Sequence, residues 1–209
     1  MNTKYPPVSP DKQIAFSQKL GELRTDILRE ALQIAVKKSD IEKVNDELVK
    51  YAGKDKVEYV AQFGLRGEIV FPVPSILKGY PSVLGYYRLL LGISKKKFYD
   101  QGPFGKFRAM EENGRLGNKR RELLPGLCRA LIDAAWKLIQ RVEETSEDHL
   151  DELMLLTLGA QFSGSRRAKK GASQAQIVYN RLKEIVSENI VRENEEAKAL
   201  AIDQCVCID

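Results

Sequence analysis

Four cations stand close together in the stretch SGSRRAKKGASQ, residues 163–174: Arg166, Arg167, Lys169 and Lys170. Glycines flank them, so the backbone can approach a ligand closely, and a helix starting after them would point free N–H groups at an anion. Basic side chains beside such groups suit phosphate oxygens. The stretch therefore predicts a phosphate-binding loop, with an ordinary soluble loop as the plainer alternative.

The middle of the chain carries a second concentration of positive charge. Residues 78–129 hold twelve lysines and arginines against four carboxylates, although the whole chain has a formal net charge of only +5. Seven aromatic residues lie among these cations. Such a mixture suits a nucleic-acid surface, because cations displace counterions from the phosphate backbone. The predicted DNA-binding residues are Lys95, Lys96, Lys97, Arg120, Arg121, Arg166, Arg167, Lys169 and Lys170.

Two parts of this segment also have plainer interpretations. YYRLLLG, residues 86–92, contains three consecutive leucines that need burial, so its tyrosines are expected in the core and not against nucleic-acid bases. SKKKFY, residues 94–99, fits a solvated helix turn as well as it fits a phosphate contact. The glycine-flanked stretch at 163–174 is the more persuasive of the two basic regions.

Several kinds of chemistry lack the residues that they need. His149 is the only histidine, so a mechanism with two imidazoles is excluded within the chain, and its acidic surroundings predict a surface position. Cys128, Cys205 and Cys207 are too few for a closed zinc site or a disulfide framework and are expected to be reduced thiols. The phosphate-binding glycine motifs and the hydrolase motif Gly-x-Ser-x-Gly do not occur.

The sequence contains no candidate membrane segment. No apolar run approaches the roughly 20 residues of a bilayer span, and the N-terminal residues lack the apolar stretch of a signal peptide. We therefore expect a soluble, cytoplasmic protein with no membrane partner.

The elements that would position these residues are mostly helical. Apolar residues recur at three- and four-residue spacings over 9–38, and Ser39 with Glu42 resembles a capping box for a second helix that Gly53 ends. Residues 67–74, GEIVFPVP, are interpreted as a short edge strand or extended link. Further helices are predicted at 56–64, 81–91, 94–100, 104–113, 121–144, 146–162 and 172–190.

The last nine residues, AIDQCVCID, change to a period of two and predict a strand. One strand cannot satisfy its own backbone groups, so it must pair either with residues 67–71 or with a sheet beyond residue 209. We favour the second pairing. The predicted fold is mainly α, a multi-helix domain with a short C-terminal strand, and the predicted boundary separates residues 1–162 from 163–209.

Two stretches resemble a known family. Residues 64–116, GLRGEIV through ENGRL, resemble the N-terminal half of the XcyI-type type II restriction endonucleases. Residues 163–186 look like the arginine-rich helix that precedes the nuclease core in several type II restriction enzymes. The resemblance extends over most of the chain from about Gln13 onward. It implies a magnesium-dependent homodimer that recognises and cleaves a short palindrome in double-stranded DNA, through a core with Pro-Asp and Glu-x-Lys motifs.

The sequence departs from that family pattern in its catalytic motifs. Pro10-Asp11 lies at a helix start, and Glu196-Ala197-Lys198 lies in a charged helical run, so neither pair is assigned as catalytic. Ala175 stands where related helices often carry a glutamate. The catalytic residues are therefore unknown, and no metal ligand is assigned within the chain.

The resemblance and these departures together give one interpretation and two alternatives. Residues 1–162 are interpreted as a helical DNA-recognition domain, and residues 163–209 as a basic loop, helix and strand leading into an α/β nuclease sheet beyond residue 209. The first alternative is a stand-alone helical nucleic-acid-binding module without catalysis. The second is a helical protein-interaction domain whose basic segment meets an acidic partner.

Overall fold

The computed structural model describes residues 10–142, 145–185, 190–194 and 199–202. Contacts between Cα atoms divide the chain into two compact units, Met1–Gly159 and Ala160–Asp209. The boundary that the sequence predicts after residue 162 stays a prediction. None of the described helices is both long and apolar enough to cross a membrane.

The described part of the first unit is helical throughout. Its α-helices are α1 (Asp11–Ile27), α2 (Arg29–Lys37), α3 (Ile41–Ala52), α4 (Lys54–Ala61), α5 (Gly67–Val70), α6 (Pro74–Gly79), α7 (Leu84–Leu90), α8 (Arg108–Asn113), α9 (Asn118–Arg121), α10 (Leu124–Ile139) and the first turns of α11 (Glu147–Ile185). Short 3₁₀ helices cover Pro81–Val83 and Gly105–Phe107, and a π-helix covers Lys96–Asp100.

The N-terminal helical region is broken where the sequence predicts one long helix. Leu28 has an extended backbone (φ −99°, ψ −174°) and separates α1 from α2. The predicted capping box is also displaced by one residue. Asp40, not Ser39, caps α3 by accepting hydrogen bonds from the backbone N–H groups of Glu42 (3.1 Å) and Lys43 (3.2 Å). The Ser39 hydroxyl instead donates to the Ala35 carbonyl at 2.8 Å.

The cap gives a first stability prediction. Asp40→Ala removes the acceptor of two N–H groups at the start of α3, so we expect a loss of about 1 kcal/mol in the free energy of unfolding. Urea unfolding followed by the fluorescence of Trp136, the single tryptophan, measures this loss. Ser39→Ala is the matched control and should cost clearly less. Equal losses for the two variants would contradict the assignment of Asp40 as the cap.

The core of the first unit lies where α2, α3, α6, α7 and α10 meet. Its fully buried side chains include Leu32, Val44, Ile76, Leu89 and Ile132. The expected burial of YYRLLLG is confirmed for Tyr86, Tyr87, Leu89 and Leu90, which are all at most 2% exposed, whereas Leu91 is half-buried. Helix α7 is therefore a central element, from which an arginine side chain also projects into the interior.

The strand considered for residues 67–74 is not formed. Residues Gly67–Val70 form the short helix α5, and the backbone becomes extended at Phe71. Two buried tyrosine hydroxyls satisfy carbonyls of this segment: Tyr86 donates to Ile69 at 2.9 Å and Tyr87 to Glu68 at 2.7 Å. Side chains from α7 thus supply the hydrogen bonds that a neighbouring strand would have given.

The fold-class prediction is wrong in its treatment of the sheet. Residues 10–142 and 145–185 contain no strand. Strand β1 (Ile190–Asn194) pairs antiparallel with β2 (Ala199–Ile202), with Ile190 opposite Ile202 and Asn194 opposite Ala199. The described residues of the predicted strand, Ala201 and Ile202, thus belong to β2 and pair with β1 a few residues upstream. A short hairpin closes at less entropic cost than a distant pairing. Residues 203–209 of the predicted strand lie outside the described residues.

Candidate nucleic-acid interface

The first group of predicted DNA-binding residues lies around the π-helix Lys96–Asp100, which we call the basic turn. The hydroxyl of Ser94 accepts a hydrogen bond from the Lys97 backbone N–H at 3.2 Å, just before the turn. Lys96 and Lys97 are exposed, whereas Phe98 and Tyr99 are buried. The turn therefore directs two cations to the solvent and two aromatic rings to the core. π-Helices are rare in proteins, and those that do occur often lie at functional sites.

Lys95 differs from the two lysines that follow it. Its Nζ lies 3.4 Å from Oε1 of Glu111, a carboxylate whose side chain is fully buried. The Lys95 side chain is 42% exposed. Lys95 is therefore engaged with an internal acid, and its charge is less available than the charges of Lys96 and Lys97.

The second predicted group lies in and beside the short helix α9, Asn118–Arg121. The chain reaches this helix through Gly114, which takes the left-handed conformation (φ 60°) and ends α8. Arg121 is exposed, as is Lys119, and Arg120 is half-buried. The structure thus places three cations on one short helix, whereas the sequence predicted a helix only from residue 121.

Three of the four acidic residues of the 78–129 segment, Asp100, Glu111 and Glu112, form internal ion pairs. Arg108 pairs with Asp100 at 2.8 Å and with Glu112 at 3.5 Å, while Glu111 binds Arg88 and Lys95. Nine other cations have no carboxylate partner among the residues that the structure describes. They are Lys78, Lys96, Lys97, Lys106, Arg115, Lys119, Arg120, Arg121 and Arg129.

Six of the seven aromatic residues of this segment are buried or stacked within the protein, and the seventh, Tyr80, is half-buried. Phe98, Tyr99 and Phe107 are buried in the core, as are the two tyrosines of α7. Phe104 is half-buried and stacks on Phe98, with 4.7 Å between ring centroids. The candidate interface therefore consists of exposed cations, with the aromatic rings packed in the core below them. Such a surface suits phosphate contacts better than base stacking.

The third predicted group is not in a loop. Helix α11 runs without interruption from Glu147 to Ile185, so residues 163–174 are helical and the prediction of a glycine-flanked loop is wrong. The two glycines are tolerated inside a helix that already has many turns, because propagation adds one hydrogen bond for each residue fixed. The structure does not describe the side chains of the four basic residues of this stretch, so their part in an interface stays a prediction. They are Arg166, Arg167, Lys169 and Lys170.

Sequence reasoning missed a buried ionic network beneath the basic turn. Arg88 is 0% exposed and binds Glu111 through two hydrogen bonds, Nε to Oε2 at 2.7 Å and Nη2 to Oε1 at 2.8 Å. Tyr99 donates its hydroxyl to Glu111 Oε2 at 2.7 Å. An arginine inside the apolar run YYRLLLG was the available signal, because a buried charge requires a partner.

The network fixes the protonation of its members. Burial by itself favours the neutral acid, but the hydrogen bonds and charge of Arg88, with help from Tyr99 and Lys95, hold the pKa of Glu111 below its usual value. Burial raises the pKa of the Tyr99 hydroxyl, and the neighbouring Glu111 charge raises it further. Glu111 is therefore an anion and Tyr99 a neutral donor throughout the physiological pH range.

The described residues do not fit a magnesium site. No group of three or more histidine, cysteine, aspartate or glutamate side chains is placed to hold a metal ion in the part of the chain that the structure covers. Asp11 is the first residue of α1, and Glu196 and Lys198 lie outside the described residues. His149 is half-buried and lies 3.8 Å from Glu152. Burial raises the pKa of the Cys128 thiol, which makes it a poor ligand.

Two curated relatives match most of this chain. The type II restriction enzyme Cfr9I of Citrobacter freundii is 38% identical over 192 residues, which are 88% of this chain and 58% of the relative. The type II restriction enzyme XcyI of Xanthomonas campestris pv. cyanopsidis is 37% identical over 198 residues, covering 92% of this chain and 59% of the relative. The chain thus spans about three fifths of the length of these relatives. No solved structure gives a significant match.

The family comparison covers nearly the whole of the described chain. The family model of the XcyI restriction endonuclease matches residues 17–203, a range that includes the buried network, the basic turn and the β1–β2 hairpin. The resemblance to this family over most of the chain, which residues 64–116 carry, is thereby confirmed. The chain belongs to the XcyI restriction endonuclease family.

Proposed function

We propose that this chain binds double-stranded DNA as the recognition part of a type II restriction endonuclease that cleaves a short palindromic site with magnesium. The names of its relatives support a restriction enzyme. The nine cations of residues 78–129 that have no carboxylate partner among the described residues support contact with a polyanion. We further propose a homodimer, because two-fold symmetry matches a palindrome. No catalytic step is assigned to the described residues, since they do not form a metal site.

The observation that carries this proposal is the pairing pattern of the charges in residues 78–129. Three of the four acids there neutralise Arg88, Lys95 and Arg108. The other nine cations have no carboxylate partner among the described residues, which leaves their charge for an external partner. Such cations bind a duplex by releasing its condensed counterions, and each phosphate contact contributes about 0.9 to the salt slope. Contact with phosphates is therefore the main expected source of affinity.

The direct experiment is a binding titration together with a cleavage assay. The purified chain is titrated against a fluorescent DNA duplex at about 50 and 200 mM salt, and is incubated separately with plasmid DNA and magnesium. Strongly salt-dependent binding without cutting is the expected result. Discrete cutting would place the catalytic carboxylates within this chain. Absence of both activities would reject the proposal and favour a protein-interaction domain.

The basic stretch in α11 gives a second prediction. Arg166→Ala combined with Arg167→Ala should weaken duplex binding about tenfold near 100 mM salt and lower the salt slope by about 1 to 2, because up to two phosphate contacts are lost. Lys37→Ala with Lys38→Ala is the control of equal charge, since both lysines are exposed on or just after α2. Unchanged affinity and slope in the arginine variant would remove these residues from the interface.

A further inference from the structure

The three lysines that precede and begin the basic turn are not equivalent. Lys96 and Lys97 are exposed and have no carboxylate partner in the described part of the chain, whereas Lys95 lies 3.4 Å from the buried Glu111. Tyr99, two residues after Lys97, donates to the same carboxylate at 2.7 Å. Glu111 therefore binds one residue before and one residue after Lys96 and Lys97.

Glu111 is itself fixed by a partner from another helix. Arg88 of α7 binds both of its oxygens, and the third donor position of Arg88, Nη1, lies 2.5 Å from the Ile93 carbonyl, just before the turn. A bidentate guanidinium and carboxylate define one another's orientation more strictly than a single hydrogen bond does. The network thus connects α7, the basic turn and α8 through one rigid pair.

The backbone of the turn is also packed closely by the loop that follows it. A Cβ atom added at Gly102 would lie 2.8 Å from the carbonyl oxygens of both Lys97 and Phe98, and one at Gly105 would lie 2.7 Å from that of Tyr99. Side chains larger than hydrogen have no space at these two positions. The loop 101–105 is therefore built to cover the carbonyl side of the turn, while Phe98 stacks on Phe104 beneath it.

We propose that Glu111 is a positioning residue, which presents Lys96 and Lys97 to DNA phosphates by anchoring Tyr99 and Lys95. Lys95 serves as an anchor and makes no phosphate contact. The inference rests on the proposed DNA binding and deepens it. Its physical basis is preorganisation: a turn that is already fixed loses less conformational freedom when its cations bind, so less of the binding free energy is spent on ordering.

The test compares two buried tyrosines whose hydroxyls donate to different acceptors. Tyr99→Phe removes the hydroxyl that reaches Glu111, and Tyr87→Phe removes a hydroxyl that reaches the Glu68 carbonyl at the same distance, 2.7 Å. Both variants keep the ring and lose one buried hydrogen bond. Duplex affinity and its salt slope are measured on the full 209-residue chain, together with the urea midpoint.

We expect Tyr99→Phe to bind DNA about threefold to tenfold more weakly with a nearly unchanged salt slope, because the phosphate contacts remain and only the ordering of the turn costs more. We expect Tyr87→Phe to bind within about twofold of the unchanged chain. The two urea midpoints should fall by similar amounts. If both variants bind alike while the unchanged chain binds with a steep salt dependence, Glu111 has no positioning role and the proposed function stands. If the unchanged chain shows no salt-dependent binding, both are rejected.

The role of Lys95 is tested separately. Lys95→Met should leave the salt slope nearly unchanged, whereas Lys96→Ala should lower it by about 0.9, the value for one lost phosphate contact. Equal decreases in slope would show that Lys95 contacts DNA, which contradicts its assignment as an anchor. A smaller decrease for Lys95→Met supports that assignment.

Discussion

Glu111→Gln is expected to lower the free energy of unfolding by about 3 to 5 kcal/mol. The substitution keeps the shape of the side chain but leaves the positive charge of Arg88 in the interior without a counter-charge. It also turns an amide N–H₂ toward donors, since Arg88 and Tyr99 both donate to this residue. Urea unfolding followed by Trp136 fluorescence, with circular dichroism to confirm folding, measures the loss.

A compensated variant separates the cost of an unpaired charge from the value of the network. Arg88→Met, Tyr99→Phe and Glu111→Leu together replace the polar groups with apolar ones of similar size, so we expect most of the stability to return. Such a variant that is stable but binds DNA weakly would agree with the positioning role. A loss below about 1 kcal/mol for Glu111→Gln alone would contradict the buried pair.

Protonation of Glu111 should contribute to the loss of folding stability at acidic pH. The pKa of Glu111 is lower in the folded protein than in the unfolded chain, because Arg88 outweighs the effect of burial. Its stabilisation is fully present above its unfolded pKa of about 4.3 and is lost as the pH falls through the folded value. Glu111→Gln should therefore reduce the decline in stability on acidification below that pH.

The helices of the first unit could be predicted largely from apolar spacing, because that spacing reflects which face is buried. The break at Leu28 could not be predicted, since no proline or glycine marks it in the sequence. In residues 67–70 the sequence predicts a strand where the structure has a helical turn. Their composition suits a strand, but buried tyrosine hydroxyls from α7 satisfy their carbonyls and permit a helical turn. Tertiary contacts decided the second case.

The candidate interface was predictable in composition but not in organisation. The excess of cations over acids in residues 78–129 is visible in the sequence. Which cations pair internally depends on distances between helices, so Lys95 could not be distinguished from Lys96. The glycines at 164 and 171 suggested a loop, yet α11 passes through them. A long helix can include such residues at a cost of about 1 kcal/mol each.

Removing five free cations is expected to have the largest effect on DNA binding. The variant combines substitution to alanine at Lys96, Lys97, Lys119, Arg120 and Arg121. Each of these side chains is exposed or half-buried and has no carboxylate partner among the described residues, so we expect the variant to remain folded. We expect duplex affinity near 100 mM salt to fall about 100-fold or more and the salt slope to decrease by about 2 to 4. A titration by fluorescence anisotropy over a range of salt concentrations measures both quantities.

Loss of net charge alone would also weaken binding to a polyanion, so the control must remove the same charge elsewhere. Five exposed lysines outside the 78–129 segment serve this purpose: Lys37, Lys38, Lys43, Lys50 and Lys137. Either variant lowers the formal net charge from +5 to zero. Because charges farther apart than a Debye length of about 10 Å are largely screened, the control should lose less than about tenfold in affinity and keep most of its salt slope. Equal losses would mean that the chain binds DNA through its overall charge, and the basic turn and α9 would then have no special part in recognition.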